Sequence, residues 1–503
     1  MLVLLGVIAT LHLTGEVPVA GGDYLLVPFT PPAGTVELQV AHDDGSVDQI
    51  LDWGVWAPDG FRGWGGGLTE PAVIGVAAAS RGYLAGAITP GTWYVVIGKA
   101  KLQDVAGHYT IDLEFRDAPT LAPVPTAAWQ PVTLSTERRW YAGDFHVHSE
   151  ESGDAGATFD QIVDLAHQRG LDFVVITDHN TSSQVARQAA RQATLTDLLL
   201  VRGAEVTTYA GHATAMGIGA YVDHRVGLDG LAAPAIVAAV KAQGGLLGVN
   251  HPALDIGELC LGCAWTPADP PWAEVAGLEI QTGNADVTAT LFTPRAIARW
   301  DEQLDAGHRL AALGGSDDHR AGQDTGAGAA RIGSPTTMVL ADGLSEAALL
   351  AGVAAGRTVV KIRGPEDPMV ELVARDPRGA RAAELGDTLT EVGEVVLEAT
   401  VSPGGDGMTA ELWRDGELAA TAVVTGGKAT FTQPVSGARE RYRVELTSNG
   451  QRVTVTSHLW VEGDPALAGA GDGGCCGTGG GDPAAGSALL LMVGYGLRRR
   501  RPR

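Results

Sequence analysis

A β/α barrel carrying a metal site, flanked by two β-sandwich domains, is the fold class the sequence predicts. Three observations predict it. Apolar, strand-like runs at 143–149, 173–180, 198–208, 244–252 and 313–319 end in His, Asp or Glu. Helical-looking segments separate most of these runs, so the polar ends gather where a β/α barrel builds its site, at the C-terminal strand ends. The stretches on either side alternate short β-type runs with Gly/Pro/Asp turns and show no long helical period, the pattern of sandwiches. At 503 residues the chain allows two to four domains.

Residues 1–15, MLVLLGVIATLHLTG, have the apolar core of a signal peptide but no basic residue ahead of it, and are read as a signal, with a first strand or a misplaced start as the alternatives. From 16 to 117 the runs YLLVPF, GTVELQVAH, GTWYVVIGKA and GHYTIDLEF read as a β-sandwich. Its closing segment resembles the prepeptidase C-terminal modules appended to secreted bacterial enzymes. Trp53, Trp56 and Trp64 offer a sugar-binding platform, though packing is the commoner fate of such aromatics. A Pro/Ala/Thr-rich linker, 118–137, leads to the barrel at 138–365.

The barrel carries the chemistry. In GDFHVHS, His146 and His148 are two apart, so on a strand both imidazoles face one way. LGGSDDH repeats the spacing with Asp317 and His319 and turns Asp318 to the other face. FVVITDHN ends in Asp178 and His179, of which only one can face the site without a turn. LLLVRGAEVTT contains Glu205, HATAMGIG opens on His212, and GGLLGVNHP ends in His251. Asp154, in a Gly-rich loop after the HxH pair, adds a carboxylate. Neutral imidazole is the commonest protein ligand for Zn, Mn and Fe, and a carboxylate with two oxygens, such as Glu205, suits a bridge between ions. His42, His108, His167, His224, His308 and His458 end no apolar strand in a matching motif and read as structural. Arg320 and Arg331 flank the last motif and suit an anionic substrate group or, equally, a surface loop. Cys260 and Cys263 form a lone CxxC, which in an exported protein reads as a local disulfide.

Beyond the barrel, 366–462 reads as a second sandwich with no ligand constellation; its WRDGE segment has the Asp-Gly signal of a tight hairpin. A Gly-rich linker, 463–482, precedes a short apolar run and an arginine cluster, 483–503. Those arginines favour the cytoplasmic side, leaving the body of the protein outside. The net charge of −24 argues against nonspecific nucleic-acid binding, which needs basic surfaces. There is no GxSxG elbow to support a serine nucleophile.

The ordered set HxH, DH, GxE, H, NHP, SDDH resembles the PHP (polymerase and histidinol phosphatase) metallohydrolases, and within them the carbaryl-hydrolase-type (CehA/McbA-like) branch. The resemblance implies a distorted seven-stranded β/α barrel holding two or three divalent metal ions, Zn, Mn or Fe. It implies His146, His148, Asp154, His179, Glu205, His212, His251, Asp317 and His319 as ligands, with Glu205, Asp317 and His319 closest to catalysis. The implied reaction is hydrolysis of a phosphoester, ester or carbamate-type bond in a small molecule by a metal-bound hydroxide. A nucleotide phosphatase or exonuclease of the same type, or a surface binding protein with an inactive barrel, is the alternative. The Cys475-Cys476, apolar and arginine order at the C-terminus resembles MYXO-CTERM sorting segments, implying export, anchoring in the cell envelope and a sorting protease as partner.

Overall fold

The computed structural model describes residues 6–464 apart from 47, 103–104, 258–259 and 326–328. The C-terminal segment expected to act as an anchor, with Cys475 and Cys476, lies outside the described residues. Among the described residues no helix is long and apolar enough to cross a membrane.

The N-terminal region is two antiparallel four-stranded sheets. One runs Val7–Val17, Gly107–Arg116, Glu37–Asp43, Ala72–Gly75; the other Tyr24–Phe29, Trp93–Lys101, Ile50–Ala57, Gly60–Gly66. Val7–Val17 is thus a strand, the alternative to the signal reading, paired along Gly107–Arg116. Alternation sends Leu38, Val40, Ile111 and Leu113 of one sheet against Trp53, Val55, Val95 and Ile97 of the other, all at most 1% exposed. The outer face of the second sheet is apolar too: Trp56, Trp64 and Val96 form a cluster with Tyr24, Phe61 and Tyr94. A sheet with two apolar faces must be covered on both. Tyr221 of the central region supplies the cover, its ring stacked on Phe61 at 3.6 Å.

In the central region the strands form two mixed sheets, and this pairing does not by itself show the distorted β/α barrel expected from the sequence. In the first, Leu199–Val201, Phe173–Ile176 and Thr133–Val147 are parallel, and Thr336–Ser345 and Thr358–Lys361 follow antiparallel. The second orders Gly203–Thr208, Gly211–Met216, Leu246–Val249, Gly277–Thr282 and Ala311–Gly315. The physical reason is local. Gly203–Thr208 and Gly211–Met216 are joined through Tyr209 and Ala210, and two residues permit only an antiparallel hairpin, because a parallel return needs a crossover of a dozen or more. The two sheets meet at isolated bridges, His179 with Glu205 and Val147 with Asp318.

Six α-helices lie between central strands; the first, Phe159–Gln168, is closed by a capping box of Thr158 and Gln161. Two boundaries also shift. Thr133–Val147 begins inside the expected linker, and Thr358–Lys361 pairs with Gln451–Thr456, so one eleven-stranded sheet runs from the central region into the C-terminal one. The second C-terminal layer, Ala382–Glu384, Met369–Arg375, Glu394–Ser402 and Lys428–Pro434, packs Leu372, Leu397 and Ala399 against Leu412, Tyr442 and Val444.

Candidate metal centre

Glu205 stands at the middle of the site, fully buried. Its Oε1 lies 3.3 Å from His146 Nε2, 3.2 Å from His251 Nε2 and 3.5 Å from His212 Nδ1. Its Oε2 lies 2.8 Å from His179 Nδ1 and 3.7 Å from His148 Nε2. Asp317 Oδ1 is 3.3 Å from His146 Nε2 and 3.1 Å from His148 Nε2. Asp154 Oδ2 receives His179 and His319, each Nε2 at 3.3 Å. The nine residues nominated from sequence therefore come together in one cluster, and among the described residues three triads of available donors lie close enough to share an ion: His148, His179 and His319; His146, His148 and Glu205; His146, His251 and Asp317.

Local geometry explains the convergence. His146 and His148 leave the strand end on one face and both are 0% exposed. Gly315, on Ala311–Gly315, lets that strand close against them: a Cβ there would fall 2.3 Å from the His146 Cβ. Asp317 and His251 take left-handed backbone, φ 57° and 26°, a conformation uncommon for residues with a side chain and concentrated at functional sites. Of the Asp178–His179 pair, His179 faces the cluster, whereas Asp178 accepts from the Ser149 amide and hydroxyl, 2.6 Å each. Asp318 turns away and binds the amides of Arg320, Gly322 and Ile332.

Electrostatics sorts the histidines. Burial pushes His146 and His179 down, but the carboxylates of Glu205 with Asp317 or Asp154 outweigh it and hold both well above the usual imidazole value. His319, buried but beside Asp154 and Asp317, is raised to about 9. His148 goes the other way: burial, then the neighbouring His319 and His179, bring it to about 3, so its imidazole is neutral. Glu205 and Asp154 are held well below the carboxylate range, the surrounding imidazoles overcoming their burial.

These residues fit divalent ions. Both ring nitrogens of His148, His146 Nε2 and Glu205 Oε2 are buried without a hydrogen-bond partner, a cost that buried polar atoms rarely carry and that coordination removes. A donor set of imidazoles and carboxylates matches Zn, Mn or Fe.

Several residues that hold the cluster carry no motif. Glu279 Oε1 faces His146 Nδ1 at 3.0 Å while its Oε2 accepts the His251 amide at 2.8 Å. Asn250 donates to Glu205 Oε1 at 2.7 Å, and the Thr207 hydroxyl meets His179 Nδ1 at 2.6 Å. The one available signal for Glu279 is an acid inside the otherwise apolar GLEI run. Carbonyls of the loop closed by the Cys260–Cys263 disulfide face two further rings: Leu261 O at 3.2 Å from His212 Nε2, and Cys263 O at 3.1 Å from His251 Nδ1.

Of the two readings of Arg320 and Arg331, the surface-loop one accords with their surroundings. Arg320 is exposed and paired with Asp324, Arg331 is exposed, and neither lines the cavity over the cluster. His224, read from sequence as structural, does line it. Trp53 is sandwich core, and Trp56 and Trp64 pack toward the central region, so the three form no exposed platform.

No family model matches the chain and no curated protein matches it. Among solved structures, one similar chain is a two-domain protein containing a predicted PHP-like metal-dependent phosphoesterase from Bacteroides vulgatus. It is 19% identical over 67% of this chain and 100% of its own, with a TM-score of 0.36. A calcium-binding mutant of β-glucuronidase 2 and a β-glucuronidase, both from Bacteroides uniformis, match at 11% and 9% identity. Each match covers 90% of this chain and 59% of the enzyme, with TM-scores of 0.18 and 0.17. Likenesses of this order leave the chemistry of the site to its own residues.

Proposed function

We propose that the protein is a metal-dependent hydrolase of the PHP type, in its carbaryl-hydrolase-like branch, cleaving a phosphoester, ester or carbamate-type bond in a small molecule. One observation carries the reading: eight His and Asp side chains converge around Glu205, and the cluster holds buried ligand atoms without a hydrogen-bond partner. Divalent ions bound there would acidify a water and polarise the attacked group. The chain's own residues do the positioning. Glu205 faces His146, His212 and His251 with one oxygen and His148 and His179 with the other, the placement of a bridge. Asp317 Oδ1 reaches both His146 and His148. Glu279 and the Cys263 carbonyl each fix one nitrogen of His146 and His251, leaving both Nε2 atoms toward Glu205.

The test is metal analysis of the purified full chain together with a panel of phosphate mono- and diesters, carboxyl esters and carbamates. At least two ions per chain and turnover of one bond class are expected. Against that substrate Glu205→Gln should lower kcat by about a hundredfold or more, because a neutral bridge cannot hold two dications together and each supplies several kcal/mol. His42→Ala, remote in the sandwich core, should keep full activity. Wild-type rates and metal content in Glu205→Gln would overturn the mechanism.

We also read the chain as exported and held in the cell envelope through 483–503. The support is the order of cysteines, apolar run and terminal arginines. Deleting 475–503 should release active protein into the medium; a truncated form that stays tightly membrane-bound would sink the anchor.

A further inference from the structure

The cavity over the Glu205 centre, about 710 Å³, has two walls of different origin. The metal-ligand cluster forms one. The N-terminal sandwich contributes Tyr24, Asp52 and Trp64 to the other, joined by Tyr209 and His224 of the central region. Asp52 Oδ2 accepts from the Tyr209 hydroxyl at 3.0 Å, and no other hydrogen bond to its carboxylate occurs among the described residues. Gly98 stands across the ladder from Asp52 and makes room for that bond: a Cβ there would lie 2.1 Å from the Tyr209 oxygen and 3.3 Å from Trp64. Tyr24 stacks on Tyr209 with ring centroids 5.7 Å apart, and Trp64 meets the His224 ring edge-on at 4.5 Å. The buried His224 Nε2 has no partner. Among the described residues that line this cavity there is no lysine and no arginine.

A half-buried carboxylate set among Tyr24, Trp64 and Tyr209, in a wall without lysine or arginine, is the chemistry that recognises an organic ammonium: ion pairing from one side, aromatic rings beside it. Resting on the hydrolase reading above, we propose that this wall is a subsite for an ammonium group on the leaving portion of the substrate, with Asp52 as the residue that selects it. The reacting group then lies toward Glu205 while the cationic end lies against the sandwich. The sandwich is, on this account, half of the substrate site and not an appended module. Burial raises the Asp52 carboxyl to about 6 despite the Tyr209 bond, and a cation seated beside it would favour the ionised form.

The full chain, loaded with manganese or zinc, is given matched pairs of esters: 2-(trimethylammonio)ethyl phosphate and acetate against their uncharged 3,3-dimethylbutyl isosteres. Binding of tetramethylammonium ion is measured in parallel by calorimetry. The cationic ester should be favoured by about tenfold in kcat/KM, mostly through KM, and Asp52→Asn should bring that ratio to about one and abolish tetramethylammonium binding. Equal use of both isosteres, or a ratio that Asp52→Asn leaves standing, overturns the subsite while the hydrolase reading survives. Should neither ester be cleaved, binding decides: tetramethylammonium bound by wild type and lost in Asp52→Asn upholds the subsite and sends the fault to the hydrolase reading. Absent binding overturns the subsite.

Discussion

Every imidazole in the cluster except His148 is aimed by its second nitrogen. Glu279 fixes His146 through Nδ1 and, through its other oxygen, holds the amide of His251, so one buried carboxylate sets the angle of two candidate ligands. Glu279→Gln should therefore weaken metal binding by about ten- to a hundredfold, read by competition with a chelator, while circular dichroism stays unchanged. Unaltered affinity would reduce Glu279 to a filler of space. The strand-end motifs point to the ligating residue types because their chemistry is written into residue type and spacing. Glu279 carries no such mark: it lies mid-strand, and its value depends on Gly315 admitting Ala311–Gly315 so closely that a Cβ there would fall 2.6 Å from its carboxylate. Asp52 and His224 were illegible for a different reason, since their place on the cavity wall comes from docking across more than a hundred residues of chain.

Among the elements, the loop 260–266 does more than close a turn. Its carbonyls at Leu261 and Cys263 meet His212 and His251, and the Cys260–Cys263 disulfide pins the segment that presents them. Replacing both cysteines by serine should lower metal affinity by about tenfold with little change in secondary structure, because the loop loses its clamp and the two rings their fixed acceptors. Chelator competition and far-ultraviolet dichroism on the same samples check this, and an undiminished affinity would sink it. Element type was largely readable from period and turn signals, but pairing was not. The Thr208–Gly211 turn decides that the second sheet starts as a hairpin, and short apolar runs of equal length give no hint of which neighbour they choose.

Over the whole molecule, the sandwich is tied to the central region by Phe61 on Tyr221, Arg225 over Trp56 at 4.0 Å, and the Thr181 hydroxyl donating to the Gly82 carbonyl. Its own stability should depend on acid. His42, 7% exposed and stacked on Trp53, is brought by burial to about 4, against the pull of Asp44 and Asp43. Below the ordinary value of 6.5 the unfolded chain takes up a proton that the folded sandwich refuses until about 4, so stability falls as pH drops through that window. By pH 5 the loss should be about 2 kcal/mol from this residue alone. Thermal melts of the full chain between pH 7 and 5 should show a shallower slope for His42→Gln; an identical slope would assign the acid sensitivity elsewhere.

Sequence alone determined the kind of chemistry available, the strand-rich flanks and the strand ends at which donors stand, because residue type, period and spacing are local properties. Tertiary structure alone decided that the strands close as two mixed sheets, that the C-terminal layers share a sheet with the central region, and that the sandwich supplies a wall of the cavity. Those outcomes depend on which apolar faces find each other across long stretches of chain, and burial is non-directional: it rewards covering Trp56, Trp64 and Val96 without saying in advance what will cover them.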